Sequence, residues 1–197
     1  CAAAMAALWG WGSLRLADAN LGAHSDVVVR VVQPNIPQHL KWRADRRRAN
    51  FERLLDLTSA GGVDAVTHVI WPEAATPYYL EHNAPRREEI AVRLAPGQVL
   101  LTGALRTAFK PGDTRQYWNS LLGLDGSGHV IQAYNKSHLV PFGEYLPLRS
   151  VLGRLGFDKL TTGLGDYSVG VGRQTLEVPG VPPFSPLICY EVIFPGA

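Results

Sequence analysis

The 197-residue chain has only two cysteines and a single methionine. Cys1 and Cys189 lie at opposite ends, so neither a disulfide framework nor a C-x-x-C metal or redox motif can be built from them. Six scattered histidines show no H-x-x-x-H spacing, which predicts no metal and no other cofactor. Charge is scarce at 18%, against about 25% in an average soluble domain, and 19 basic residues nearly balance 17 acidic ones. A net charge of +2 gives no reason to expect nucleic acid as a partner. No apolar run reaches the roughly 20 residues that span a bilayer, and there is no internal repeat or low-complexity tract. What is abundant is apolar surface: 46% of the residues are hydrophobic, which tilts the composition towards a membrane neighbour.

The order of elements can be read from periodicity. Residues 1–15 are almost wholly apolar, with Trp9 and Trp11 beside Gly10 and Gly12. This stretch reads as the outer end of a transmembrane helix with tryptophan at the interface; a signal-peptide remnant or a core helix remains open. Residues 16–25 form a polar linker, and 26–197 form one catalytic domain. Asp26 to Gln33 is a β-branched run expected to be a strand buried on both faces. Two prolines, Pro34 and Pro37, then force a loop. Phe51, Leu54, Leu55 and Thr58 fall at helical spacing opposite a row of arginines. Val66 to Trp71 is the second strand. Asn83 and Pro85 start the next helix, and Gln98 to Gly103 is the third strand. Tyr117 to Leu124 and Val130 to Tyr134 form a hairpin around Asp125-Gly126-Ser127-Gly128. Alternating strands and helices predict an α/β architecture.

Three positions carry chemistry. Pro183 to Ile188 is an apolar run, expected as a strand, that ends at Cys189-Tyr190-Glu191. A cysteine there is either core or a nucleophile presented by a strand end. Glu73 follows the second strand in Trp71-Pro72-Glu73, where α/β folds place their reactive groups; a solvated loop glutamate is the alternative. Lys136 ends the hairpin and runs into a loop rich in proline and glycine that contains Glu144, so a buried polar cluster is expected there.

Glu73, Lys136 and Cys189 match in order the Glu–Lys–Cys triad of the nitrilase (carbon–nitrogen hydrolase) superfamily. The flanking motifs are Q-P-N-I-P-Q-x-x-K-W (Gln33 to Trp42), W-P-E-A-A, N-K-S-H-L-V-P-F-G-E-Y-L-P (Asn135 to Pro147) and I-C-Y-E-V-I-F-P (Ile188 to Pro195). Together they resemble the bacterial apolipoprotein N-acyltransferases, from about Val27 to the C-terminus. The resemblance implies an α-β-β-α sandwich of the nitrilase type, incomplete at its C-terminal end because the chain stops soon after Cys189.

It further implies a reaction. Glu73 is the base that takes the thiol proton, Lys136 is a fixed cation, and the Tyr190 N–H helps hold the oxyanion. Losing one such donor typically costs about 3–4 kcal/mol of barrier. Glu144 is implied to hold Lys136, and Glu191 is implied to be required. Cys189 would accept an acyl chain from a phospholipid, with phosphatidylethanolamine the expected donor. The α-amine of a diacylglyceryl-cysteine apolipoprotein would then take it from the thioester. The implied location is the bacterial inner membrane, with the catalytic domain on the periplasmic face. Leu148, Leu152 and Leu155 form a stripe expected to rest on lipid, with an ordinary surface helix as the alternative, and Trp42 is implied to line the lipid entrance. Two other readings remain: a soluble nitrilase-type amidase that hydrolyses small carbon–nitrogen bonds, and a non-catalytic membrane-associated module.

Overall fold

A computed structural model describes residues 2–17, 26–62, 65–109, 115–148 and 166–194. Its centre is a five-stranded sheet in the order β1 to β5. Strands β1 (Val29–Val31), β2 (His68–Trp71) and β3 (Val99–Phe109) are parallel, with Val29 opposite His68 and His68 opposite Val99. β4 (Arg115–Leu124) and β5 (Val130–Asn135) continue the sheet in antiparallel pairing.

The helices follow from local sequence. α1 spans Ala2–Ala17, and a short turn of helix, α2, spans Gln38–Lys41. α3, Arg47–Thr58, carries Phe51, Leu54, Leu55 and Thr58 on its buried face, the stripe expected from spacing. α4, Ala84–Ala91, starts as its sequence predicts: the Asn83 side chain accepts the Arg86 N–H at 3.3 Å, and proline occupies the first turn. α3 and α4 are the crossovers between β1, β2 and β3, and both cover one face of the sheet.

That face is the main core. Phe51, Leu54, Leu55, Ile90 and Leu94 pack on Val69, Trp71, Leu100, Ala104 and Leu122. Fully burying a side chain such as Phe51 contributes about 1.5–3 kcal/mol. The buried indole of Trp71 is satisfied by donating to Thr58 Oγ1 at 2.8 Å, and that hydroxyl donates to Leu54 O. Arg30 crosses from β1 to donate to the carbonyls of Thr58 and Gly61, closing the C-terminal end of α3. On the opposite face, Val99 and Leu101 meet Val178, Val181 and Phe184 from an extended segment. His68 ties that segment down with Nε2 at 2.9 Å from Pro179 O.

The structure corrects two local expectations. β1 is the edge strand: Val29 is 45% and Val31 72% exposed, because described residues cover only the face that Arg30 and Val32 share with the helices. Pro183 to Ile188 is extended but joins no ladder beyond a Leu176–Phe184 bridge, since Pro183 and Pro186 have no N–H to donate. α1 has no buried residue; Leu8, Trp9, Trp11 and Leu14 are all exposed. No described helix is long and apolar enough to cross a membrane.

Candidate active site

Glu73 sits just beyond the C-terminal end of β2, in the tight turn Pro72-Glu73-Ala74. Ala74 has φ +45°, a left-handed conformation that non-glycine residues rarely adopt. The turn lies flat on β3 at Gly103: a Cβ there would come within 2.5 Å of Glu73 Cα and Pro72 O. Gly103 O also accepts the Ala75 N–H at 3.0 Å. The absence of a side chain at 103 therefore sets where Glu73 can be.

Lys136 is the first residue past β5, and its N–H donates to Asn119 O on β4 at 2.9 Å. Its side chain is 1% exposed, and Nζ lies 2.9 Å from Glu144 Oε2. A buried ammonium needs such a partner, since leaving it alone would cost several kcal/mol. Glu144 is itself fixed, because Oε2 accepts the Val140 N–H at 2.9 Å.

Asn119 joins these groups. Its Nδ2 donates to Glu73 Oε1 at 2.6 Å and to Glu144 Oε1 at 3.0 Å. One amide on the middle of β4 thus spaces two carboxylates, one of which pairs with Lys136. Asn119 Oδ1 is buried and has no partner among the described residues. Lys41 adds a second cation: Nζ donates to Glu73 O at 3.0 Å, and burial lowers its pKa while the Glu73 charge works against that.

Cys189 opens a 3-10 turn, Cys189–Ile193, with φ +54° and an exposed free thiol. Holding a non-glycine residue there costs on the order of 1–3 kcal/mol. Glu191 supplies the restraint. Its Oε2 accepts the Ile188 N–H at 2.8 Å, and Oε1 accepts from Tyr134 Oη, Ser137 N, Ser137 Oγ and His138 N at 2.8–3.0 Å. Burial opposes its ionisation, but these donors outweigh that and hold its pKa below the ordinary carboxylate value. Glu191 is thus a clamp between the cysteine turn and the backbone just after Lys136. At the two ends of the turn, Glu191 N donates to Ile188 O at 3.2 Å and Phe194 N to Glu191 O at 3.3 Å.

The structure joins Glu73, Glu144 and Lys136 through Asn119 and ties the Cys189 turn to the same loop. Trp42 lines a neighbouring cavity, while Leu148 is 74% exposed and does not. Leu152 and Leu155 lie outside the described residues. Among the described residues, no group of three His, Cys, Asp or Glu side chains could hold a metal. Sequence reasoning missed Asn119 and Gly103. An asparagine in the middle of an expected strand was the only signal for Asn119, and Gly103 resembled any other strand glycine.

Residues 28–197 match the family model described as Carbon-nitrogen hydrolase. The chain is 39% identical over 199 residues to the apolipoprotein N-acyltransferase of Rhodopseudomonas palustris, covering 97% of this chain and 37% of that protein. It is 40% identical over 191 residues to the Brucella suis protein of the same name, covering 95% and 36%. It therefore spans little more than a third of the length of the curated relatives it matches. Among solved structures, an amidase from Nesterenkonia sp. aligns with a TM-score of 0.53 at 16% identity, over 89% of this chain and 60% of that one. A mutant of the Nesterenkonia AN1 amidase from the nitrilase superfamily aligns at 0.55, with the same identity and coverage. The mixed sheet with helices on one face, the carboxylate–lysine cluster at its strand ends and the match over nearly the whole chain give one conclusion: this chain belongs to the carbon–nitrogen hydrolase family and has its nitrilase fold.

Proposed function

We propose that this chain is the catalytic part of an apolipoprotein N-acyltransferase, with Glu73, Lys136 and Cys189 as the reacting groups. The observation that carries the reading is the Lys136–Glu144–Asn119–Glu73 chain, in a sequence about 40% identical to proteins of that name. Glu73 takes the Cys189 thiol proton, and the thiolate attacks an ester carbonyl of a glycerophospholipid. Lys136 and the Tyr190 N–H stabilise the tetrahedral oxyanion. The C–O bond breaks, and the proton on Glu73 goes to the departing lysophospholipid oxygen.

The α-amine of a diacylglyceryl-cysteine apolipoprotein then attacks the thioester. Glu73 accepts a proton from the nitrogen, the C–S bond breaks, the thiolate is reprotonated and the amide leaves. Glu144 and Glu191 act by position, the first on Lys136 and the second on the cysteine turn. We read residues 1–15 as the end of a membrane helix, 16–25 as a linker and 26–197 as the catalytic domain, on the periplasmic face of the bacterial inner membrane. The wholly exposed apolar surface of α1 supports this.

Intact-protein mass spectrometry of the full-length parent in detergent, incubated with phosphatidylethanolamine, tests the reading. The expected result is a hydroxylamine-sensitive gain of one acyl chain, absent in Cys189→Ser. Hydrolysis of small amides with no such adduct would replace the transferase reading with an amidase.

A further inference from the structure

A cavity of about 800 Å³ beside the described residues is unclaimed by the chemistry above. Its volume falls within the range of small-molecule sites, about 300–1,000 Å³. Trp42, Tyr79, Tyr117 and Tyr167 line it, with Arg47 and Arg115 among its other walls.

Backbone geometry sets this space beside the active centre. The Tyr167 N–H donates to Glu144 O at 2.8 Å, and Lys41, the neighbour of Trp42, donates to Glu73 O at 3.0 Å. Burial, then the charge of Glu144, pushes the Tyr167 phenol up to about 12. Arg47 and Arg115 line the same cavity.

The arginine side of the cavity is cationic. Asp45 is taken by Arg43, and Glu81 by Arg106. Arg115 makes a face contact with the Phe109 ring at 4.8 Å, and among the described residues neither Arg115 nor Arg47 forms an ion pair. Both guanidiniums belong to exposed residues at the rim. A planar fork with two free N–H edges is suited to phosphate oxygens. An aromatic wall with hydroxyl tips suits a glycerol backbone, which is apolar along its stem and polar at its esters.

We propose that this cavity seats the phosphodiester head of a glycerophospholipid, with Arg47 and Arg115 as its anion-binding pair. The tyrosines lie between that head and the reacting centre and form the bed for the glycerol. This rests on the acyl-donor reading above and adds where the donor is held. The glycerol esters then lie on the side of the cavity next to the active centre, and the head group stays at the rim, where the lysophospholipid leaves after the acyl chain has been transferred.

The test uses the full-length parent in detergent and two acyl donors: phosphatidylethanolamine, and p-nitrophenyl butyrate, which has no phosphate. In Arg47→Gln/Arg115→Gln, acyl-enzyme formation from the phospholipid should fall at least tenfold further than formation from the nitrophenyl ester. Arg47→Lys/Arg115→Lys should recover part of the difference. Glycerophosphoethanolamine should compete with the nitrophenyl ester, and the glutamine variant should need at least tenfold more of it. Equal losses on both donors would overturn the assignment, as would unchanged competition. Competition by inorganic phosphate without competition by glycerophosphoethanolamine would also overturn it, in favour of a free-phosphate site. If the wild type forms no adduct with phosphatidylethanolamine, the acyl-donor reading fails by itself, and the competition assay still decides the arginine pair.

Discussion

Glu191→Gln is the substitution whose effect the structure fixes most closely. The glutamine keeps the shape and one oxygen, so the four donors at Oε1 can still be accepted, but by a neutral group. Charge-assisted hydrogen bonds are roughly twice as strong as neutral ones. The new NH2 faces the Ile188 N–H, donor against donor, in a site where the residue is only 4% exposed. An unsatisfied buried N–H costs about 1–3 kcal/mol, and weakening the other four adds a similar amount, so a total near 3 kcal/mol is expected. For a domain of this size that is a Tm drop of about 6–12 °C.

The sign with pH is also fixed. Because the folded-state pKa of Glu191 is depressed, its contribution is present above the ordinary carboxylate value and is lost as pH falls through the folded value. The wild type should therefore lose stability on acidification through that range, and Glu191→Gln should lose less. Thermal unfolding of the full-length parent between pH 3.5 and 8, together with iodoacetamide labelling of Cys189, measures both consequences. A Tm within 2 °C of wild type at pH 7, or parallel pH profiles for the two proteins, would refute the clamp.

Other expected outcomes are as definite. Gly103→Ala puts a methyl where Glu73 Cα and Pro72 O already lie at 2.5 Å, and should lower the acylation rate on the order of 100-fold through a small displacement of the base; single-turnover labelling checks it. Lys136→Met strands Glu144 and should cost about 3–5 kcal/mol. Lys136→Met/Glu144→Gln should regain part of that stability in denaturant titration without regaining acylation. Phe51→Ala removes a fully buried ring from the α3 face and should cost about 3–5 kcal/mol in the same titration.

Much of the fold could be read from spacing. The α3 stripe, the Asn83 cap and the Asp125 to Gly128 turn are local signals, and each formed where its residues placed it. Edge position is not local: nothing in Val27 to Val32 says that only one face will be covered, so β1 read as a doubly buried strand. The segment before Cys189 misled for a related reason, since its apolar residues pack without a ladder. Lys136 and Glu144 share one loop, so their pairing could be expected from the sequence. Asn119 could not, because it touches Glu73 across 46 positions and Glu144 across 25.

The backbone around Glu144 has a consequence for how such chains vary. Tyr167 N–H returns to Glu144 O at 2.8 Å, and Gly170 N–H reaches Lys136 O at 2.8 Å. A Cβ at Gly170 would overlap Asn135 O, so residues 166–170 have little freedom to shift. Position 170 therefore has room for glycine alone, and the same five residues hold the backbone carbonyls of both Glu144 and Lys136. A larger side chain there would reach the ion pair through the backbone without touching either of its side chains.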